Sequence, residues 1–137
     1  MTSPHTATRL QPFGETVFAT WSRLAIQHDA VNLGQGFPDF DGPEEVKEAA
    51  AKAMRDGHNQ YAPMIGIPSL GTGIAADFFA TTGIQANPNT DITVTSGCTE
   101  AIAATLLGLL NAGDEVIVFE PFYDSYPATI AITGFGH

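Results

Sequence analysis

Three short strings hold residues whose types and spacing could do chemistry. The first is Thr95-Ser96-Gly97-Cys98-Thr99-Glu100, between a strand-like stretch and a helix-like one. A helix start presents backbone N–H groups and a partial positive charge, which suits a phosphate. Gly97 lets the backbone approach a ligand closely, and Ser96 and Thr99 add hydroxyl donors. An ordinary strand-to-helix turn with a hydroxyl cap uses the same residues, and taken alone that is their commoner use. The usual nucleotide fingerprints, a Walker lysine or a GxGxxG run, are absent. The second string is Glu120-Pro121-Phe122-Tyr123-Asp124-Ser125-Tyr126. It follows the C-terminal end of a strand-like stretch, the edge at which open α/β sheets bind ligands. An aromatic ring there can stack on a flat heteroaromatic ligand, or can simply fill core and rim. The third is Gly34-Gln35-Gly36-Phe37-Pro38-Asp39. It can present a backbone N–H to an anion, or serve as a domain-linking turn.

The elements that must position these strings follow from periodicity. Val17, Phe18, Trp21, Leu24 and Ala25 recur at helical spacing, predicting an amphipathic helix over 15–28. Residues 1–12 read as a loose arm. A second helix follows Gly42 as cap and Pro43 in its first turn, with Glu44 and Glu45 at its positive end. Val46, Ala49, Ala50, Ala53 and Met54 form its apolar face, and Gly57 ends it. A loop over 58–68 carries Tyr61, and a helix over 69–81 turns Leu70, Ile74 and Phe78 inward. Gly71 and Gly73 weaken that helix by about 1 kcal/mol each relative to alanine. Asp91–Thr95 and Glu115–Glu120 read as strands by their β-branched content. Between them runs a very apolar, buried helix over 99–110, and a last helix spans about 122–133. This strand–helix–strand order implies a right-handed parallel crossover, and so an α/β fold with an incomplete parallel sheet and flanking helices. Two short parallel strands make a poor sheet, so the chain reads as a fragment or as a domain that needs partners.

Composition narrows the function classes. Five basic residues against fifteen acidic ones give a net charge of -10. That surface repels phosphate backbones and anionic lipid, so no nucleic-acid or membrane partner is expected. Cys98 is the single cysteine, so no internal disulfide forms, and a cytoplasmic location is expected. Residues 1–11 lack the apolar region of a signal peptide. His5, His28, His58 and His137 show no metal-ligand spacing, and no metal site is expected.

Read in order, four segments resemble the class I/II aminotransferases, pyridoxal-phosphate enzymes of fold type I, and most closely the kynurenine, glutamine and methionine transaminase branch. They are residues 31–40 (VNLGQGFPDF); 59–64 (NQYAPM) with Gly66; 94–97 (VTSG) with Thr99-Glu100-Ala101; and 113–117 (GDEVI) leading to 120–126 (EPFYDSY). The resemblance runs from about Phe13 to the last residue and implies an aspartate-aminotransferase-like fold. In it residues 1–40 would form an N-terminal arm and part of the small domain, and residues 41–137 the incomplete start of the large cofactor domain. It implies amino-group transfer between amino acids and 2-oxo acids, pyridoxal 5'-phosphate as cofactor, and a homodimer. Carried over by residue, Gly97, Cys98 and Thr99 would meet the cofactor phosphate and Tyr123 would stack on its ring. Tyr61 would reach the neighbouring subunit's phosphate. Gly36 would contact the substrate carboxylate through its backbone, and Phe18 would lie near the substrate side chain. Most relatives carry alanine where Cys98 stands, so the thiol is expected to pack. Relatives place an arginine where Gly71 stands, which puts the surrounding helix in question.

No catalytic residue is assigned within the chain. Transamination needs a Schiff-base lysine to move a proton between substrate and cofactor carbons. Only Lys47 and Lys52 occur, both on the expected solvent face of a helix. The chain alone is therefore expected to be inactive. Two rivals remain: a cysteine-conjugate β-lyase sharing the same segments, and a non-catalytic remnant that binds a phosphate ligand or a partner chain.

Overall fold

Each helix starts and stops where local chemistry dictates. The computed structural model describes residues 5–36 and 38–134. Residues 1–4 of the expected arm, Phe37 of the glycine-rich string, and His137 lie outside the described residues. The chain divides into two compact units, Met1–Phe37 with Gly97–His137, and Pro38–Ser96.

In the first unit the arm carries a 3₁₀ turn at Thr8–Leu10, where a loose segment was expected. Helix α1, Val17–Gln27, opens on Thr16, whose hydroxyl accepts the Ala19 N–H at 3.2 Å. That side-chain cap satisfies one of the amides that the first turn leaves without an acceptor. Helix α4, Gly97–Leu109, begins two residues ahead of the expected start at Thr99. The turn after it closes on Asp114, whose carboxylate accepts the Asn111 N–H at 2.7 Å. Gly113 there takes a φ of +96°, open only to glycine at little cost. Helix α5, Ser125–Ile132, packs on α4 and on the 3₁₀ turn. Its Thr129 and Ala131 are buried, so the centre of this unit lies along α5.

In the second unit helix α2, Glu44–Arg55, starts after Pro43, which occupies the cap position itself. Pro43 fixes a φ of -54° and offers no capping side chain. Helix α3, Pro68–Thr82, ends on Gly83 in the left-handed region, whose N–H reaches the Phe79 carbonyl at 2.8 Å. The helix runs unbroken through Gly71 and Gly73. Gly71 is buried, and a Cβ there would sit 3.3 Å from the Pro88 carbonyl oxygen. The absence of an arginine at this position therefore matches a close approach of the Pro88 backbone. The Asn87–Asp91 turn that carries Pro88 is held by the Asp91 carboxylate accepting the Asn87 N–H at 2.8 Å.

Three expectations are corrected. Among the described residues no strand forms, and Asp91–Thr95 and Glu115–Glu120 lie in non-helical backbone. A strand is defined by pairing, and β-branched composition alone cannot supply the neighbour. Second, α4 is not buried; Leu107 and Leu109 are exposed. Third, Leu70, Ile74 and Phe78 of α3 keep about two fifths of their surface in solvent instead of closing a core. Val46 and Met54 on the apolar face of α2 are exposed as well. These faces are patterned for cover that the described residues do not provide. No helix among the described residues is long and apolar enough to cross a membrane.

Gly66 makes the tightest backbone approach in the second unit. It holds a φ of +99°, and a Cβ there would meet the Val94 methyl Cγ2 at 2.5 Å. The Val94 N–H donates to the Ile65 carbonyl at 3.0 Å, fastening the same two segments. Gly66→Ala should therefore destabilise the chain by about 2 kcal/mol or more. Gly73→Ala, in a helix interior with open space around it, should stabilise by about 0.5–1 kcal/mol. Urea unfolding of both variants checks the opposite signs.

Candidate functional site

The candidate site residues of the first unit gather around Tyr123. Its ring is half exposed and lies directly before α5. The Phe18 ring approaches it with centroids 5.9 Å apart and planes tilted by 36°. The Tyr126 ring approaches at the same 5.9 Å but edge-on, at 70°. Tyr126 and Tyr123 are also joined through the backbone, the Tyr126 N–H donating to the Tyr123 carbonyl at 3.0 Å. One aromatic on α1 and one on α5 thus fix the Tyr123 ring from two directions, leaving part of it open.

Gly97, Cys98 and Thr99 form the first three residues of α4. First-turn amides of any helix lack an acceptor one turn back, and they aim along the axis at its positive end. Gly97 takes a φ of +76°, and nothing lies within 4 Å of a Cβ built on it. Its glycine is required by backbone conformation, and the space beside it is open to a ligand. Cys98 is exposed, so the expected packing of its thiol is not seen. Gly36 lies in the loop after α1, also with open space around it. Tyr61 belongs to the second unit, in the loop between α2 and α3, and its side chain is wholly exposed.

Two polar clusters brace this arrangement and were not singled out in the sequence. Glu15, just ahead of α1, accepts from the Arg23 guanidinium at 3.1 Å and from the Thr20 hydroxyl at 3.0 Å. Those bonds hold its carboxyl below the usual glutamate range, the Arg23 hydrogen bond contributing most and the Thr20 bond next. The signal was present: a glutamate before a helix, with hydroxyl and cation at the following turns. The other cluster joins Ser22, Asn32 and Gln35; the Asn32 amide donates to the Ser22 hydroxyl at 3.1 Å, and that hydroxyl donates to the Gln35 carbonyl at 3.0 Å. Asp124, next to Tyr123, buries its Oδ2 with no hydrogen-bond partner among the described residues. Such an acceptor costs about 1–3 kcal/mol until a donor reaches it.

The lysines stay on α2, engaged in exposed ion pairs. Lys47 meets Glu44 at 2.7 Å and Asp41 at 3.6 Å, and Lys52 pairs with Asp56.

Residues 28–136 match the family described as aminotransferase class I and II. The chain belongs to the class I and II aminotransferases. It is 48% identical over 126 residues to the methionine aminotransferase of Escherichia coli K12, covering 92% of this chain and 33% of that enzyme. To the kynurenine–oxoglutarate transaminase of Dictyostelium discoideum it is 40% identical over 123 residues, 89% of this chain and 28% of the relative. The solved structure of N-succinyldiaminopimelate aminotransferase from Mycobacterium tuberculosis superposes with a TM-score of 0.90 at 49% identity, covering 95% of this chain and 34% of that one. The chain thus spans about a third of the length of these relatives. Aminotransferases of this family depend on pyridoxal phosphate. The fold is therefore that of the aspartate-aminotransferase-like enzymes, while the parallel sheet is not formed among the described residues.

The Glu15 cluster gives a pH prediction for this family member. A depressed folded-state pKa adds stability that is complete above the ordinary glutamate pKa and is lost as pH falls through the lowered value. Acid should therefore loosen the start of α1 only below the ordinary glutamate range. Arg23→Ala should move the Glu15 midpoint upward and bring that loss to higher pH. Carbon-detected NMR titration of the Glu15 carboxyl, with and without Arg23, measures it.

Proposed function

We propose that this chain is the portion of a pyridoxal-phosphate-dependent aminotransferase that seats the cofactor phosphate, walls one face of its ring and contacts the amino-acid substrate. The observation carrying this reading is the Tyr123 ring, fixed by Phe18 and Tyr126, in the same compact unit as the glycine-opened start of α4. The residues fit the cofactor: an open space beside Gly97, first-turn amides at Cys98 and Thr99, and a half-exposed aromatic face. The amides and the Thr99 hydroxyl hold a dianionic phosphate. Tyr123 restricts the ring by stacking. The Gly36 N–H donates to the substrate carboxylate, and Phe18 borders the substrate side chain. Pyridoxal phosphate, when bound, supplies the electron sink that lets the substrate α-carbon lose a proton. The base that moves this proton has no counterpart here, since Lys47 and Lys52 stay in ion pairs on α2.

In the same reading Tyr61, wholly exposed on its loop, reaches the phosphate of a second subunit, so the working enzyme is a homodimer. Residues 1–40 belong to the arm and smaller domain, and residues 41–137 open the cofactor domain. The substrates are an amino acid and a 2-oxo acid.

A chimera tests the reading: this chain replaces the matching third of the E. coli methionine aminotransferase. It should bind pyridoxal phosphate and form 2-oxo acid from an amino donor, while the 137-residue chain alone should show no turnover. Release of pyruvate with a thiol from a cysteine conjugate would favour a β-lyase instead. Tyr123→Ala in the chimera should weaken cofactor affinity about 2–10-fold, from loss of stacking worth roughly 0.5–1.5 kcal/mol. Tyr123→Phe should keep it. Unchanged affinity in Tyr123→Ala, or an inactive chimera, would contradict the assignment.

A further inference from the structure

We propose that Ser22 is a positioning residue that clamps the Asn32–Gly36 loop to α1, so that Gly36 and Phe18 move as one body. Its hydroxyl has one proton and two lone pairs. The proton goes to the Gln35 carbonyl at 3.0 Å, and a lone pair receives the Asn32 amide at 3.1 Å. The Asn32 carbonyl in turn accepts the Gly34 N–H at 3.0 Å. This direction is forced: with the Asn32 amide turned over, two donors would face each other at Gly34. Asn32 thus uses both ends of its side chain, one on the helix and one on the loop backbone.

The loop is also held on its apolar side. The Gly34 backbone lies against Trp21, and a Cβ at Gly34 would come within 3.3 Å of the Trp21 Cβ. Trp21 and Ser22 are consecutive, so one turn of α1 meets the loop through the base of the Trp21 side chain and the Ser22 hydroxyl together. Ser22 stands four residues after Phe18, on the same side of the helix. Phe18 in turn touches the Tyr123 ring at 5.9 Å. A single rigid piece therefore links the loop of Gly36 to Phe18 and Tyr123. The amino-acid carboxylate would meet the Gly36 end and the side chain the Phe18 end, so the distance between those two grips is set by Ser22. The substrate half of this statement rests on the aminotransferase reading, and the clamp itself does not.

Amide hydrogen exchange on the full 137-residue chain tests the clamp. Ser22→Ala should lower the protection of the Gly34 N–H about tenfold while the amides in the middle of α1 keep theirs. Ser22→Thr, which retains the hydroxyl, should restore it. Trp21 is the only tryptophan, and its emission should shift to longer wavelength in Ser22→Ala as the loop leaves it. Unchanged Gly34 protection in Ser22→Ala overturns the clamp, and so does an equal loss throughout α1. In the chimeric holoenzyme Ser22→Ala should raise the amino-acid KM about tenfold, with kcat changed less than about twofold and cofactor affinity unchanged. An active chimera whose KM ignores Ser22→Ala overturns the substrate half alone. Absence of turnover in the unsubstituted chimera overturns the aminotransferase reading and that half with it, and the exchange data still decide the clamp.

Discussion

The contact of Tyr123 with Phe18 on one side and Tyr126 on the other is the constraint on which the candidate site depends. The Phe18–Tyr123 pair ties α1 to the turn before α5 across 105 residues of sequence, and the Tyr123–Tyr126 pair ties that turn to α5, each with ring centroids 5.9 Å apart. Without it the Tyr123 ring would be a free rotor on an exposed turn. With it, one face of the ring is set before any ligand arrives, which lowers the ordering cost of binding. The packing of α5 on α4 places these rings and the glycine-opened first turn in a single unit. The proposed phosphate seat and the proposed stacking ring therefore belong to the same compact unit.

Much of this was legible in the residues themselves. The stripe of Val17, Phe18, Trp21 and Leu24 gave α1, and the charges of Glu44 and Glu45 gave α2 with its direction. Gly57, read as the end of α2, occupies a positive φ that a side chain resists. The chemistry-bearing strings were visible as well, but only their order along the chain gave them meaning. Each alone had an ordinary structural use.

Other features were not legible, for physical reasons. Val94 and the residues about Ile117 have strand composition, yet pairing depends on a neighbour that composition cannot specify. The apolar surface of α4 predicted burial, but burial requires a covering element, and Leu107, Leu109, Ile117 and Phe119 remain exposed. Gly71 read as a weakness of α3, because nothing local revealed that the Pro88 carbonyl would rest on it. Ser22, Asn32 and Gln35 looked like unremarked polar residues, since their bonds join positions ten and thirteen apart through a loop whose path the sequence does not draw.

The proposed function requires the start of α4 and the ring of Tyr123 to form one seat for a phosphorylated pyridine. A crystal structure of the chimera soaked with pyridoxal phosphate measures this directly. Phosphate oxygens are expected within hydrogen-bonding distance of the Cys98 and Thr99 amides, with the pyridine ring stacked on Tyr123. A phosphate bound elsewhere, or a pyridine ring that leaves Tyr123 untouched, would contradict it.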